Sequence, residues 1–262
     1  MRGLEARELS FSYRGKTVLE NISFTVKAGE TWAVIGRNGV GKSTLLKCLC
    51  GLLKFSGHVF INGVHISKLP QKEIAKNVAY VPQGSAAVPP PFTVREYVMM
   101  ARFPYRVFGL LPDKNDKKCV DSALFITGTE HLGERKMGTL SGGEFQAALL
   151  AGAVAQGAPF LLLDEPTTYL DPCHQENVRL IIERIHDKSG TAVITVTHDV
   201  NFALSCHDYV LALLNGKIEF CGSKEQFSAA AAKHLSKVFS VNFGSAALPE
   251  EKVIYFTQGG SL

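Results

Sequence analysis

Trp32-Ala33-Val34-Ile35-Gly36-Arg37-Asn38-Gly39-Val40-Gly41-Lys42-Ser43-Thr44-Leu45-Leu46-Lys47-Cys48-Leu49 is the stretch on which the fold turns. Four apolar residues read as a strand, the glycine-rich Gly36–Gly41 as a loop, and the run from Lys42 as a helix. Gly36-x-x-x-x-Gly41-Lys42-Ser43 matches the phosphate-binding loop pattern in full. Glycines suit such a loop because backbone N–H groups have to wrap around phosphate oxygens, and a Cβ would obstruct both the turn and the approach. The following helix points the positive end of its dipole at the same phosphates. Lys42 would supply a mobile charge for the β- and γ-phosphates, and the Ser43 hydroxyl a hard oxygen ligand for Mg²⁺. The competing reading is a glycine-rich turn without a ligand, and the flanking strand and helix argue against it.

Upstream of this stretch, Leu9–Tyr13 and Val18–Val26 alternate apolar with polar around a turn at Arg14-Gly15-Lys16, which predicts a half-exposed antiparallel sheet. Downstream, His58-Val59-Phe60-Ile61-Asn62-Gly63 reads as a strand ending in a hairpin turn. The prolines of Val88-Pro89-Pro90-Pro91 break the chain ahead of Thr93-Val94-Arg95-Glu96, a capping-box helix start. From Thr93 to about Gly157 the pattern is helical, with no convincing strand. Continuous apolar runs return at Phe160–Leu163 and Ala192–Val196, with a helix from Pro172 to Asp187 between them, as expected of buried parallel strands. The expected fold class is α/β: a nucleotide-binding core with an antiparallel β subdomain (1–88 and 158–262) and a helical subdomain inserted at 89–157.

The 262 residues are 46% hydrophobic and 20% charged, which excludes a disordered chain and leaves room for a large core. The longest run free of charged or amide residues, Ala147 to Ala155, falls short of the ~20 apolar residues of a membrane-spanning helix. Met1–Glu8 alternates charges and lacks a secretory signal's apolar stretch, so a cytosolic address is expected. The six cysteines show no C-x-x-C spacing and are read as small buried thiols. A net charge of +4 could reflect nucleic acid, an anionic membrane or nucleotide phosphates. Asp113-Lys114-Asn115-Asp116-Lys117-Lys118 mixes both signs, which reads as a solvated helix surface and not as a nucleic-acid footprint.

Phe160-Leu161-Leu162-Leu163-Asp164-Glu165-Pro166 places two carboxylates at the carboxyl end of a buried strand, the edge where open α/β sheets bind ligands. Asp164 is expected to hold Mg²⁺, directly or through water, and Glu165 to accept a proton from an attacking water. Leu140-Ser141-Gly142-Gly143-Glu144-Phe145-Gln146 has the Ser–Glu spacing of a capping box. Yet Gly142 and Gly143 are poor helix formers in a first turn, which points to close backbone approach by a ligand.

With these motifs in view, most of the chain resembles the ATP-binding cassette ATPases. Gly36–Ser43 looks like the Walker A motif, Phe160–Glu165 like Walker B, Leu140–Glu144 like the signature, Gln83 in Val81-Pro82-Gln83 like the Q-loop, Tyr169-Leu170-Asp171 like the D-loop, and His198 in Thr197-His198-Asp199 like the switch histidine. The resemblance implies that ATP is held by Gly36, Arg37, Asn38, Gly39, Val40, Gly41, Lys42, Ser43 and Thr44, with adenine stacked on Tyr13. Ser43, Gln83 and Asp164 would hold Mg²⁺, Glu165 would be the base, and His198 would stabilise the γ-phosphate and the water. It also implies a head-to-tail homodimer, in which Ser141, Gly142, Gly143 and Glu144 contact the partner's ATP and Asp171 acts across the interface. Gln83 would link the nucleotide to transmembrane permease subunits at the cytoplasmic face of the inner membrane, with a substrate-binding protein upstream and no nucleic acid. The chain departs from many relatives in carrying Phe145 and Ala147 in place of basic residues after the signature, and Arg37 and Val40 at the variable Walker A positions.

Phe92 to Tyr105, Pro166–Asp171 and the tail around Leu235–Val241, ahead of an apparent strand at Val253–Phe256, resemble the importers of iron-siderophore complexes, haem and cobalamin. Tyr97, Met99, Met100 and Phe103 would then be either a buried helix face or an exposed patch that receives a permease helix. Two other readings stay open here: a soluble cassette ATPase with a non-transport role, and a P-loop kinase or non-hydrolysing nucleotide binder.

Overall fold

The N-terminal alternation folds into β1 (Gly3–Tyr13) and β2 (Lys16–Lys27), joined by an Arg14-Gly15 turn with φ of 48° and 84°. Two positive φ values give the turn the twist that flanking strands require. Then follow β3 (Thr31–Ile35), α1 (Lys42–Leu49), β4 (Ser56–Ile61) and β5 (Val64–His65), the last two joined by the Asn62-Gly63 hairpin turn. In this computed structural model, which describes residues 3–84, 91–106, 111–247 and 253–258, β2-β1-β4-β5 form an antiparallel sheet. Its outer face is polar, and its inner face buries Leu4, Leu9, Leu19 and Ile22.

The chain continues through α2 (Gln71–Asn77), β6 (Val78–Val81), α3 (Val94–Met100), α4 (Lys114–Thr127), α5 (Gly142–Gln156), β7 (Phe160–Asp164), α6 (Pro172–Ser189) and β8 (Ala192–Thr197). It then adds α7 (Val200–Cys206), β9 (Tyr209–Leu214), β10 (Lys217–Ser223), α8 (Lys224–Ser228), α9 (Ala231–Phe239) and a terminal hairpin of β11 (Phe243–Ala247) and β12 (Val253–Thr257). A six-stranded sheet runs β10-β9-β3-β8-β7-β6, parallel except for β10 at its edge. Register pairs Ile35 with Thr197 and Asp164 with Val196. The phosphate-loop strand, the acidic strand and the strand before His198 therefore end at one edge of the sheet, where an open parallel sheet binds ligands.

β7 and β8 are buried throughout, in accord with their unbroken apolar runs. Between β6 and β7 the helices α3, α4 and α5 pack on one another through Val94, Val98, Val120, Leu124 and Leu150, in a core shared with one face of the sheet. Capping boxes at Thr93–Glu96 and Ser141–Glu144 start α3 and α5, and Gly157 in the left-handed conformation ends α5.

Two expectations change. Cys48 and Cys50 are buried, but Cys173 and Cys221 are exposed, because strand β10 at the sheet edge and the first turn of α6 face solvent. Asp116 is not on a solvated face: it is buried against Arg102, whose Nε donates to it at 3.0 Å while Nη1 donates to the Ala155 carbonyl at the end of α5. The expected break at Val88–Pro91 falls outside the described residues except for Pro91. Strands β6, β9 and β10 carry no local signal that the sequence reading used; their place is set by neighbours far along the chain. Among the described residues no helix is long and apolar enough to cross a membrane.

Candidate nucleotide site

The phosphate loop leaves β3 through Gly36 and enters α1 through Gly41, whose φ of 109° few side-chain-bearing residues adopt. Packing demands glycine as well. A Cβ at Gly36 would lie 2.8 Å from the Leu213 carbonyl oxygen, and one at Gly41 2.8 Å from Leu19 Cδ2. Lys42, although charged, is almost wholly buried beneath this loop. Its Nζ donates to the Gly36 carbonyl at 2.8 Å and the Arg37 carbonyl at 3.3 Å, and lies 3.5 Å from Glu165 Oε1. Burial pushes its pKa down, and the Glu165 carboxylate opposes that shift.

Asp164, the last residue of β7, accepts hydrogen bonds from the Ser43 hydroxyl at 2.7 Å and the Tyr80 hydroxyl at 3.0 Å. The Ser43 hydroxyl and the Asp164 carboxylate, with the Gln83 side chain on the same cleft as Ser43, offer oxygens that could hold Mg²⁺, a hard cation that takes one or two protein oxygens and shares the rest with phosphate and water. Glu165 is buried in a left-handed backbone conformation, φ 50°, with its N–H donating to the Val196 carbonyl across the strand ends. Its Oε2 lies 2.7 Å from His198 Nδ1 and accepts from Thr168 Oγ1 at 3.1 Å.

These groups converge on a cleft of about 500 Å³ lined by Gly41, Lys42, Ser43, Gln83, Glu165 and His198. A second cleft of about 850 Å³ adjoins it, since Val18, Asn38, Gly39 and Thr44 line both. Tyr13, Arg37 and Lys47 line the second cleft, and the Tyr13 ring is 61% exposed. One end is thus built for phosphates and a divalent cation, the other for a planar, apolar group, which together describe a nucleoside triphosphate.

The signature segment is elsewhere. Ser141, Gly142 and Gly143 line neither cleft. Ser141 caps α5 through the Glu144 N–H at 3.3 Å, while the Glu144 carboxylate accepts from the Ser141 N–H at 2.8 Å and pairs with Arg135. The capping box is therefore real, and it fixes the segment with the Ser141 and Gly142 backbone exposed. Asp171 caps α6, its carboxylate bonded to the N–H of His174 at 2.9 Å, which together with the His174 ring holds it below the usual carboxylate range. Tyr97 and Met99 pack against the helical core, whereas Met100 and Phe103 are exposed, so the buried-face reading holds for the first two residues and not for the last two.

Two contacts at these motifs were missed by the sequence reading. Tyr80 reaches Asp164 from a strand 84 positions away, and no local spacing signals that. His174 lies within a readable segment, three residues after Asp171, but only the packing of α5 on α6 shows what it touches.

A model of the ABC transporter family matches residues 19–168. The chain belongs to that family. This ATP-binding cassette is an ATPase, and its fold and motif order are those of the family. It is 38% identical over 220 residues to the iron(3+)-hydroxamate import ATP-binding protein FhuC of Bacillus subtilis (strain 168), an overlap of 83% of this chain and 81% of that protein. Among solved structures it is similar to a transporter assigned to the metal-chelate type in an inward-facing conformation, with a TM-score of 0.83, 25% identity, and 97% and 96% of the two chains covered. It is also similar to the dimeric ATP-binding cassette MJ0796 bound to ADP and Pi, with a TM-score of 0.73, 27% identity, and 84% and 98% covered.

Proposed function

We propose that this cassette works as a head-to-tail homodimer that powers a metal-chelate importer of the iron-siderophore, haem or cobalamin type. The observation that carries the reading is the separation of the two motifs. Lys42 and Glu165 are buried at one cleft, with Asp164 behind it bonded to Ser43, while Ser141 and Gly142 are exposed and outside it. A signature that lines neither cleft of its own chain is available to the ATP of a second copy. The cargo class rests on the likeness to FhuC and to the metal-chelate type transporter.

In the proposed cycle Tyr13 stacks on adenine, and the loop amides of Gly36–Gly41 with Lys42 hold the β- and γ-phosphates. Lys42 exchanges the Gly36 and Arg37 carbonyls for phosphate oxygens, at little cost because its ammonium is already desolvated. Ser43, Asp164 and Gln83 would hold Mg²⁺, which offsets phosphate charge. Glu165 accepts the proton of the attacking water, and His198, already 2.7 Å from its Oε2, steadies the water and the γ-phosphate. The partner's Ser141, Gly142 and Gly143 close the site, and Asp171 acts across the interface. Residues 89–157 then serve as the body that moves against the core 1–88 and 158–262. Exposed Met100 and Phe103, together with Gln83, would meet permease subunits at the cytoplasmic face of the membrane, with a substrate-binding protein delivering the chelate on the other side.

The test is purification of the chain with its membrane partners, followed by ATP hydrolysis in proteoliposomes with ferric hydroxamate, haem and cobalamin. Stimulation by one class supports importer function. A chain that hydrolyses ATP at full rate without any membrane partner, and that fails to co-purify with one, would instead support a soluble cassette.

A further inference from the structure

The contact between His174 and the signature goes beyond this cycle, although its consequence for turnover rests on it. His174 sits in the first turn of α6, its Nδ1 2.8 Å from Asp171 Oδ1 and its own backbone N–H 2.9 Å from the same oxygen. The opposite edge of the ring lies against the N-terminus of α5. A Cβ built on Gly143 would fall 1.7 Å from His174 Cδ2 and 2.3 Å from its Cγ, closer than any side chain could tolerate. Leu170 extends the same contact, 3.8 Å from a Cβ on Gly142. One imidazole therefore spans two segments that come from different parts of the fold: the D-loop of the sheet core, and the signature at the head of the helical bundle.

We infer that His174 is a positioning residue that ties Asp171 to Gly143 within one chain, so that the D-loop and the signature are presented to the second copy in a fixed relative placement. The physical basis is that the capping bonds of each segment hold it to its own helix and not to the other segment. Asp171 and Ser141 are exposed, and among the described residues each makes the capping contacts of its own helix, to which Asp171 adds the ring of His174. The imidazole has both properties the tie needs: a flat face or edge small enough to lie on a glycine, and a nitrogen donor directed at a carboxylate. The absence of a Cβ at Gly143 follows from the same contact. Glycine there makes room for the ring in its own chain, in addition to any approach by a phosphate of the other copy.

The test compares His174→Ala, His174→Phe and His174→Asn in the full-length chain. The Ala variant removes both contacts, Phe keeps a ring without a donor, and Asn keeps a donor to Asp171. Steady-state hydrolysis is expected to lose at least about tenfold in kcat in Ala and Phe, with KM for ATP within about twofold, because the nucleotide cleft is untouched while the trans contacts are misplaced. Asn is expected to recover most of the lost rate. Amide hydrogen exchange, read in the Glu165→Gln background where turnover is not needed, is expected to quicken at Glu144 and Phe145 in the Ala variant and not in Asn. Full activity in Phe would reduce the role to space-filling and overturn the tie to Asp171, and wild-type kcat and exchange in Ala would overturn it altogether. If the parent chain itself fails to hydrolyse ATP, the proposed cycle fails instead, and the exchange arm still decides the tie.

Discussion

Replacing Glu165 with Gln should separate what this side chain does for chemistry from what it does for the resting site. Its Oε1 lies 3.5 Å from Lys42 Nζ, and both side chains are only 6% exposed. At an effective dielectric of about 20, the attraction at that separation is about 5 kcal/mol. The carboxylate's own desolvation, several kcal/mol, is also removed by the substitution, so the net loss is about 2 kcal/mol. For a chain of this length each kcal/mol moves the melting temperature by about 2–4 °C, and Glu165→Gln should melt about 4–8 °C lower without nucleotide. The amide can still accept from Thr168 Oγ1, which limits the loss. With ATP and Mg²⁺ the deficit should vanish, because phosphate oxygens replace the missing countercharge on Lys42, and the neutral amide no longer repels them. Hydrolysis should fall by roughly 10²–10⁴, the usual worth of a general base. The assays are thermal unfolding with and without nucleotide, phosphate release, and sedimentation to detect an ATP-dependent dimer. Hydrolysis at the parent rate would refute Glu165 as base. An unchanged melting temperature without nucleotide would refute the Lys42 pairing as a contributor to stability.

Ser141→Arg should leave ATP binding by one chain intact and abolish turnover, since Ser141 is remote from its own clefts; normal hydrolysis would remove the basis for the paired arrangement. Tyr13→Ala should weaken ATP binding roughly tenfold, the loss of about 1–1.5 kcal/mol of aromatic stacking, measured by calorimetry; an unchanged affinity would free Tyr13 of that role. His207 is buried between the Ala203 carbonyl and the Thr195 hydroxyl, and burial holds its pKa down at about 4. Only the unfolded chain takes up that proton between about pH 6.5 and 4, so this histidine costs no stability above that window. Within the window stability should fall by up to about 1.4 kcal/mol per pH unit as pH drops, a slope that His207→Gln should lessen in denaturant titrations.

What was legible in the sequence was whatever depends on neighbours along the chain. The phosphate loop, the Thr93 and Ser141 caps and the Asn62-Gly63 turn each act within four or five residues, and local spacing reveals them. Burial at β7 and β8 was legible because a strand covered on both faces needs an unbroken apolar run. Pairings between distant segments were not. Tyr80 meets Asp164 because β6 pairs with β7, and Arg102 meets Asp116 because α3 and α4 close over the end of α5. Asp116 misled for a physical reason: its flanking lysines face water, but one turn of helix carries both an exposed and a buried side, and a mixed-charge run does not say which residue turns inward.

The reactive groups of this site are held chiefly by one another. Lys42 rests on the loop carbonyls and beside Glu165, Glu165 is bonded to His198, and Ser43 is bonded to Asp164. Buried polar groups have to be paired, and here the pairs lie inside the constellation proposed for hydrolysis. Binding of a triphosphate is therefore an exchange of partners and not the filling of unsatisfied positions, so the polar groups need not be desolvated anew. The same economy makes the residues interdependent. Removing Glu165 alters Lys42 and His198 together, and removing His198 leaves Glu165 Oε2 with Thr168 Oγ1 as its partner, so the effects of Glu165→Gln and His198→Ala on hydrolysis should be far from additive. A double variant no slower than Glu165→Gln alone is the expected outcome, measured by single-turnover phosphate release. Independent losses that multiply would mean that the two side chains act separately, in spite of the 2.7 Å between them.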